Sequence, residues 1–363
     1  AMRTINANLT TEQAKTTATH MAGVTIGGTD TSSRLVGFTY RETAMRACTT
    51  TVWLDNTDQG LNGSPPARGA PVDLERGCIV SGTAYKAELP RVWIEDVTFR
   101  VGYVVLTCID MWGKLKRWRC TTASQAWTAT NVATIIGWIL TQAGLTAGAG
   151  TYTTLAIDFE IPRGQTGDAA LKRAVAKVSQ YPYAGLDGAV NCKALSSGEA
   201  AVYTYGWNAN HPMLETQYTQ GLATINKVTV EGALASSGRY TGSAQNAAQI
   251  ALAGTREKYV VDNSLTSNAA CSARASAELD YYIELANRAE IASLPVHGLE
   301  IYDVITLATT PWGGTSYTAR VGQYTEHYWA GKVRQAVSLS HTPTQPLAGQ
   351  GRGGAAGVSG PEV

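Results

Sequence analysis

The C-terminal third of the chain alternates apolar and polar residues at the period of a β-strand. Within 294–339, alternate positions from Leu299 to Leu307 face one side of an extended chain, and the intervening positions face the other. The sequence PWGG at 311–314 predicts a turn, because proline fixes φ and glycine supplies a positive φ. Further strands are predicted over 317–324 and 332–339, separated by a turn at 329–331. This pattern predicts a closed or nearly closed antiparallel β-barrel.

A similar strand pattern begins at Arg34, after an N-terminal arm. Residues 1–33 show little periodicity, and we expect at most one strand there. Residues 97–105 alternate over their whole length, which predicts one long strand that is apolar on both faces. We therefore predict a first β-barrel over 34–118.

The sequence DNTDQG at 55–60 has the residues of a hairpin turn. The alternative is a calcium-binding loop. That alternative conflicts with the spacing, because Asp55, Asn56 and Asp58 do not occupy positions 1, 3 and 5 of such a loop. The turn is the favoured interpretation.

The middle of the chain, 119–223, predicts small α/β insert domains. A first helix is expected after Thr128, with Thr128 or Thr130 as its N-cap and Gly144 at its C-terminal end. Its apolar stripe follows the i, i+3, i+4, i+7, i+8 rule at Val132, Ile135, Ile136, Ile139 and Leu140. A second helix is predicted over 168–180, followed by a hairpin turn at LDG, 186–188.

Residues 224–343 are predicted to form a second barrel with a long helix. A strand at 225–232 returns the chain to barrel structure, and a small polar segment at 233–266 is interpreted as a loop or an arm. The helix is expected over 272–290. The Gly-rich segment 344–363 predicts a flexible tail.

Composition indicates that partner proteins cover part of the surface. Of the 363 residues only 16% are charged, against roughly 25% in typical domains, and 44% are apolar. A secreted or thermostable β-protein has a similar composition.

The formal net charge of +1 gives no basic footprint for nucleic acid. The basic run KLKRWRC at 114–120 is interpreted as a solvated strand end or interdomain linker rather than a DNA-contacting patch.

No leader sequence and no apolar run of membrane-spanning length is visible, so we expect synthesis in a cytoplasm and no membrane-spanning segment. The catalytic motifs G-x-S-x-G, H-E-x-x-H and the P-loop are absent, and we predict no enzyme activity, no cofactor and no metal site.

The cysteines and histidines show no metal-binding spacing. The cysteines at 48, 78, 108, 120, 192 and 271 form no CxxC pair and no Cys–His pair. Cys48, Cys78 and Cys108 are interpreted as small buried residues. The histidines at 20, 211, 297, 327 and 341 are scattered. His297 and His327 are interpreted as packed or hydrogen-bonded barrel residues rather than ligands.

One pair of carboxylates suggests a different function. Asp158 and Glu160 lie two positions apart on a predicted strand, so both face the same side. Paired carboxylates are typical of glycoside hydrolases, and the nine Trp and 17 Tyr suit either a sugar-binding platform or a protein interface. Structural or solvated carboxylates are favoured, because no cleft is indicated. A secreted glycan-binding or glycan-hydrolysing β-protein is the alternative function.

Several segments resemble phage tail-hub proteins, the family that includes myophage baseplate hubs and late-control proteins. The resemblance is carried by GLEIYDVITL at 298–307 and by YTARVGQYTEHYWAGKVRQAVSL at 317–339. The order of three earlier segments also resembles this family, namely DNTDQG at 55–60, LERGCIVSG at 74–82 and LDG at 186–188.

The resemblance implies a mainly β fold with α/β inserts, in which two tail-tube-like antiparallel β-barrels share one chain with small helical or mixed domains. It further implies a homotrimeric ring of quasi-sixfold symmetry at the virion tail tip, assembled in the host cytoplasm. Such a ring adapts a hexameric distal tail or tail-tube protein to a threefold fibre or spike. Its channel passes DNA, without sequence-specific contact, and the tape-measure protein.

Overall fold

The computed structural model describes residues 3–15, 17–121, 124–148, 155–176, 180–194, 199–206, 211, 213–236, 238–263, 265–308 and 316–340. The chain divides into a larger unit, 1–221 with 284–343, and a smaller unit over 222–283. The predicted turn at 311–314, His341 and the predicted tail at 344–363 lie outside the described residues. Among those described, no helix combines the length and the apolar character needed to cross a bilayer.

The larger unit begins with a short helix and a series of strands: α1 (Ala7–Glu12), β1 (Thr19–Ile26), β2 (Thr29–Asp30), β3 (Leu35–Thr43), β4 (Thr49–Asp55), β5 (Pro71–Val80), β6 (Thr83–Glu88), β7 (Val92–Arg100) and β8 (Tyr103–Ile109). A mixed segment follows, comprising α2 (Met111–Arg117), β9 (Gln125–Asn131), α3 (Val132–Gln142), β10 (Ala156–Ile161), α4 (Gly167–Ala176), β11 (Gln180–Ala184), β12 (Val190–Ala194), β13 (Tyr203–Gly206) and β14 (Met213–Gln220). The smaller unit contains β15 (Lys227–Ala235), β16 (Gly238–Gln245), α5 (Ala247–Ala253), β17 (Glu257–Val261) and α6 (Asn268–Leu285). The chain then completes the larger unit with β18 (Asn287–Ser293), β19 (Val304–Ala308), β20 (Tyr317–Trp329) and β21 (Lys332–Ser340).

A single large sheet connects the two strand-rich parts of the larger unit. Its order is β14-β18-β21-β20-β3-β4-β8-β7-β5-β1-β2, with β19 joining β13 to β20 and with β6 beside β5. Strand β20 makes the connection, because residues 317–320 pair with β19 and residues 323–329 pair with β3. The mainly β fold with helical inserts is therefore confirmed, and one hydrophobic core contains residues from both parts.

The strand expected within the N-terminal segment 1–33 is β1, and it belongs to the large sheet. Strand β1 pairs with β5 along its whole length, from Thr19 opposite Ile79 to Ile26 opposite Val72. An added Cβ at Gly23 would lie 2.9 Å from atoms of neighbouring side chains. These atoms end flexible side chains and can move, so the contact alone does not demand glycine. Burial along β1 does not alternate, because Gly23 and Val24 are both buried, and this hides the period that marks a strand.

Two of the predicted strands are interrupted. Residues 97–105 form a hairpin, in which β7 and β8 meet at a turn with Gly102 at φ +78°. Residues 299–303 form turns, with Tyr302 at φ +72°, and the strand β19 begins only at Val304. Both faces of 299–303 are buried, so the apolar pattern there reflects burial rather than strand period. The predicted turn before β21 is confirmed, with Ala330 and Gly331 at positive φ.

The mixed segment has its own hydrophobic core, and both predicted helices are present. The apolar stripe of α3 is buried as predicted, and Gly144 follows it at φ +67°. Its N-cap is neither Thr128 nor Thr130 but Asn131, the last residue of β9, whose side chain accepts a hydrogen bond from Ala133 N. The described part of the second helix ends at Ala176, and Gln180 begins β11. The predicted hairpin turn at 186–188 joins β11 to β12.

The smaller unit contradicts the prediction of one domain over 224–343. Strand β15 lies in a separate sheet, antiparallel to β16 and parallel to β17. The segment 233–266, predicted as a loop or arm, contains β16, α5 and β17. Helix α6 covers this sheet with Cys271, Ala275 and Leu279. It ends at Leu285 rather than 290, because the following residues pair with β14 and β21 as strand β18.

Candidate assembly surface and buried polar centre

Large apolar side chains project from the turn between β7 and β8, which we call the hairpin tip (residues 99–103). Phe99 is 46% exposed, Val101 99% and Tyr103 40%. The tip is held in place by Asn56, whose backbone N–H donates to the carbonyl of Gly102 at 2.9 Å. Neighbouring exposed apolar residues are typical of contacts with other proteins. The hairpin tip is therefore the candidate assembly surface.

A groove of about 740 Å³ lies between the hairpin tip and the loop that follows β4. The loop separates β4 from β5, which are not paired, so the predicted hairpin turn at 55–60 is wrong. Asp58 accepts two hydrogen bonds of 2.8 Å from Arg34, and this guanidinium holds the pKa of Asp58 well below its usual range. Asn56 accepts from Leu61 N at 2.9 Å. These oxygens serve the loop itself, and their arrangement gives no support to a calcium site.

The basic run at 114–120 begins within helix α2 and is not a strand end or linker. Lys114 Nζ lies 4.4 Å from the centroid of the Trp93 ring and donates to the carbonyl of Gly144 at 2.7 Å. Arg117 forms an ion pair with Glu95. These cations contact groups of the same chain, which favours a structural role over a role in DNA contact.

Asp158 and Glu160 are exposed on the same face of β10, as the spacing predicts. Asp158 Oδ1 accepts a hydrogen bond from Ala129 N at 2.7 Å, which is a structural use of this carboxylate. Trp127 pairs with Phe159 across the β9–β10 ladder and therefore lies on the opposite face. A glycosidase needs its carboxylates and its aromatic platform on one side of the substrate, and this ribbon separates them.

A buried ion pair joins the two strand-rich parts of the larger unit. Arg76 on β5 and Glu326 on β20 are 1% and 0% exposed, and Arg76 Nε lies 2.7 Å from Glu326 Oε2. Gln335 donates to Glu326 Oε1 at 2.9 Å and accepts from Val296 N at 3.1 Å. Arg76 also donates to the carbonyl of Glu88 at 3.0 Å. Four separate segments of the chain thus meet at these two side chains.

A thiol and two imidazoles lie beside this ion pair. Cys78 Sγ is 3.6 Å from His20 Nδ1 and 3.8 Å from His297 Nε2. The backbone N–H of His297 donates to Gln13 Oε1 at 2.9 Å. Burial lowers the pKa of both histidines and raises the pKa of Cys78 to about 11. The sequence shows no such cluster because Cys78 lies 58 positions from His20 and 219 from His297.

The other histidines in the described residues make hydrogen bonds. His211 Nε2 donates to the carbonyl of Leu294 at 2.8 Å, and its Nδ1 accepts from the Tyr203 hydroxyl at 2.8 Å. His327 Nδ1 lies 3.0 Å from Thr39 Oγ1, which confirms the prediction of a hydrogen-bonded barrel residue. No disulfide joins the six cysteines, all of which lie within the described residues. Cys78 and Cys108 are buried as predicted, whereas Cys48 is half-buried.

Carboxyl groups are also buried beneath the sheet. Glu42 accepts a hydrogen bond from the Tyr40 hydroxyl at 3.3 Å, and burial raises its pKa to about 7. Asp110 caps α2 by accepting from Gly113 N at 2.7 Å and also accepts from Cys48 N at 3.0 Å. Burial raises the pKa of Asp110 to about 7. These carboxyls carry raised pKa values in structural positions.

Solved structures of phage tail proteins match this fold over nearly the whole chain. A tail protein from Neisseria meningitidis MC58 superposes with a TM-score of 0.67 at 12% identity, covering 90% of this chain and 98% of that one. The chain has the fold of a phage tail protein. The 43 kDa tail protein of prophage MuSo2 from Shewanella oneidensis gives a TM-score of 0.63 at 11% identity, with 88% and 97% covered.

The same fold occurs in a secretion machine. A type VI secretion component from E. coli, described as structurally similar to the T4 bacteriophage tail proteins gp27 and gp5, gives a TM-score of 0.55 at 9% identity. That match covers 90% of this chain and 79% of the other. No protein-family profile and no curated protein sequence matches the chain. The likeness therefore lies in the fold.

Proposed function

We propose that the chain is a structural hub of a phage or phage-like tail tip, acting as a homotrimeric ring without catalytic activity. The ring adapts a hexameric distal tail or tail-tube protein to a threefold fibre or spike, and its channel passes DNA and the tape-measure protein. The observation that carries the proposal is the tail-protein fold, which extends over 90% of this chain and 98% of the Neisseria tail protein.

The arrangement of the large sheet suits such an adaptor. Its two strand-rich parts are joined through the pairing of β20 with β3, so each chain presents two strand-rich segments in one rigid sheet. Three copies then present six such segments, which matches a sixfold partner on one side and a threefold partner on the other. The separation of Asp158 and Glu160 from the Trp127 face gives no support to the glycan alternative.

The proposal assigns the hairpin tip to contacts between neighbouring copies. Val101 is almost fully exposed in the single chain, and burying an aliphatic side chain contributes about 1.5 kcal/mol or more. A contact at this position forms three times in a closed trimer. The tip therefore supplies apolar area to the interface without disturbing the core of the chain.

The test is the solution mass of the purified chain, measured by light scattering across a concentration series. A trimer of 38.4 kDa chains has a mass of about 115 kDa, and we expect this species at the higher concentrations. Val101→Asp should weaken association at least about tenfold, because a charge replaces a buried methyl surface. Leu234→Asp, at a 74% exposed apolar position of the smaller unit, is the matched control and should leave the mass unchanged.

A chain that remains monomeric at every concentration contradicts the trimer. A trimer that is equally stable with Val101→Asp contradicts only the role of the hairpin tip. Circular dichroism spectra of both variants should match that of the original chain, since neither side chain is in the core.

A further inference from the structure

Three side chains with metal-binding atoms converge in the larger unit, beside the ion pair of Arg76 and Glu326. His20 and Cys78 lie directly opposite each other in the β1–β5 ladder, so their side chains share one face of the sheet. His297 enters from the segment between β18 and β19 and is 1% exposed. The three ligand atoms all lie within 4.8 Å of one another.

The distances match those of a tetrahedral zinc site. Zinc–sulfur bonds of about 2.3 Å and zinc–nitrogen bonds of about 2.0–2.1 Å place sulfur and nitrogen about 3.5 Å apart in a tetrahedron. Cys78 Sγ lies 3.6 Å from His20 Nδ1 and 3.8 Å from His297 Nε2. The two sulfur–nitrogen distances therefore exceed the tetrahedral value by only a few tenths of an ångström.

The ring of His297 also lacks a complete set of hydrogen bonds. Its Nδ1 is buried and has no hydrogen-bond partner among the described residues. Without an ion, the Cys78 thiol can donate its one proton to one imidazole and can only accept, weakly, from the ring N–H of the other. One sulfur placed between two ring nitrogens is also the arrangement that a shared cation requires.

The surrounding charges are compatible with a cation. Glu12, at the end of α1, places a carboxylate near Cys78, and a negative charge there favours a bound cation. Arg76 is the opposing positive charge near His297, and Glu326 offsets it at 2.7 Å. His20 and His211 are the other titratable groups near His297.

We propose that His20, Cys78 and His297 bind one thiophilic divalent cation of the Zn²⁺ class. Binding deprotonates the Cys78 thiol, forms a sulfur–metal bond and releases one proton to solvent. No fourth ligand joins this cluster among the described residues, so the proposal assigns the fourth position to a water molecule. The ion ties β1 and β5 to a segment more than 200 positions away, so its role is to stabilise the fold.

The experiment uses the full chain, freed of metal with a chelator and kept reduced with a phosphine. Co²⁺ is added as a spectroscopic probe, and Zn²⁺ is added in a separate thermal unfolding series. We expect a thiolate-to-cobalt charge-transfer band that saturates at one Co²⁺ per chain and is abolished by Zn²⁺. Zn²⁺ at a hundredfold excess over its Kd should raise the melting temperature by about 5 °C.

Variants distinguish this site from adventitious binding. Cys78→Ser should abolish the charge-transfer band, while Cys108→Ser, a buried cysteine on β8, should retain it. His20→Gln, at a half-buried position, should weaken Co²⁺ binding at least about tenfold and serves if Cys78→Ser does not fold. No saturable band in the original chain overturns the proposal, as does a band that survives in His20→Gln with unchanged affinity.

Discussion

Arg76 and Glu326 show how two single residues connect distant parts of the chain. Both are almost completely buried, and removing one charge leaves the other unpaired in an apolar environment. We expect Arg76→Met to lower the free energy of unfolding by about 3–5 kcal/mol, measured by urea denaturation. Lys86→Met breaks the half-exposed pair with Glu75 and should cost less than about 1 kcal/mol.

The double variant Arg76→Met with Glu326→Leu separates charge burial from packing. Replacing both partners removes the unpaired charge, so the double variant should recover at least half of the loss. If Arg76→Met lowers the free energy of unfolding no more than Lys86→Met does, then the buried ion pair does not stabilise the contact between the two strand-rich parts.

Glu42 makes the stability of the fold depend on pH. Its pKa is raised from 4.5 to about 7 by burial, so the folded chain holds this proton more tightly than the unfolded chain. Stability contributed by the protonated carboxyl is therefore lost as the pH rises from about 4.5 to about 7. Glu42→Gln should remove this part of the pH dependence. The loss in free energy of unfolding between pH 5 and pH 8 should therefore be smaller in the variant than in the original chain by roughly 3 kcal/mol.

Urea denaturation of both chains at the two pH values measures this difference. Burial also raises the pKa values of Asp110 and Asp303. The free energy of unfolding of the variant should therefore still fall with pH, but less steeply than that of the original chain. An effect of Glu42→Gln that is equal at pH 5 and pH 8 would contradict the buried, protonated carboxyl.

The elements differ in how clearly the sequence reports them. Helix α3 is predictable because one face meets a core and the other meets solvent, so its period is visible. Strand β1 is not predictable in this way, because its burial does not alternate and Gly23 and Val24 are both buried. Residues 299–303 mimic a strand because they are buried on both sides. The periodic alternation of apolar and polar residues marks an element that has one buried face and one exposed face. It gives no such signal where both faces are packed.

The candidate sites show the same limit. The hairpin tip follows from the turn at Gly102, which the unbroken alternation of 97–105 conceals. His20, Cys78 and His297 are brought together by strand pairing over long sequence separations, which no local motif encodes. The two-residue period of a strand places Arg76 and Cys78 on one buried face of β5. This was the one feature of the sequence that could have indicated a polar cluster there.

At the scale of the whole molecule, the smaller unit is an insertion between two paired strands. β14 and β18 form an antiparallel ladder that ends with Gln220 opposite Asn287. Next to it, the backbone N–H of Gly221 donates to the carbonyl of Ala286 at 2.9 Å. The chain therefore leaves and re-enters the large sheet at adjacent positions, as it does across a short hairpin turn.

This geometry predicts that residues 222–285 can be replaced by the dipeptide Asn-Gly, which favours a two-residue hairpin turn. The shortened chain should retain a cooperative thermal transition and a β-rich circular dichroism spectrum, because the core of the large sheet contains no residue of the insertion. It should also retain Co²⁺ binding at His20, Cys78 and His297, all of which lie outside the insertion. Light scattering then shows whether the proposed trimer depends on the large sheet, where the hairpin tip lies. We expect the shortened chain to form the same trimer. A folded monomer would move the interface to the smaller unit, and an unfolded chain would show that the large sheet is not an independent structure.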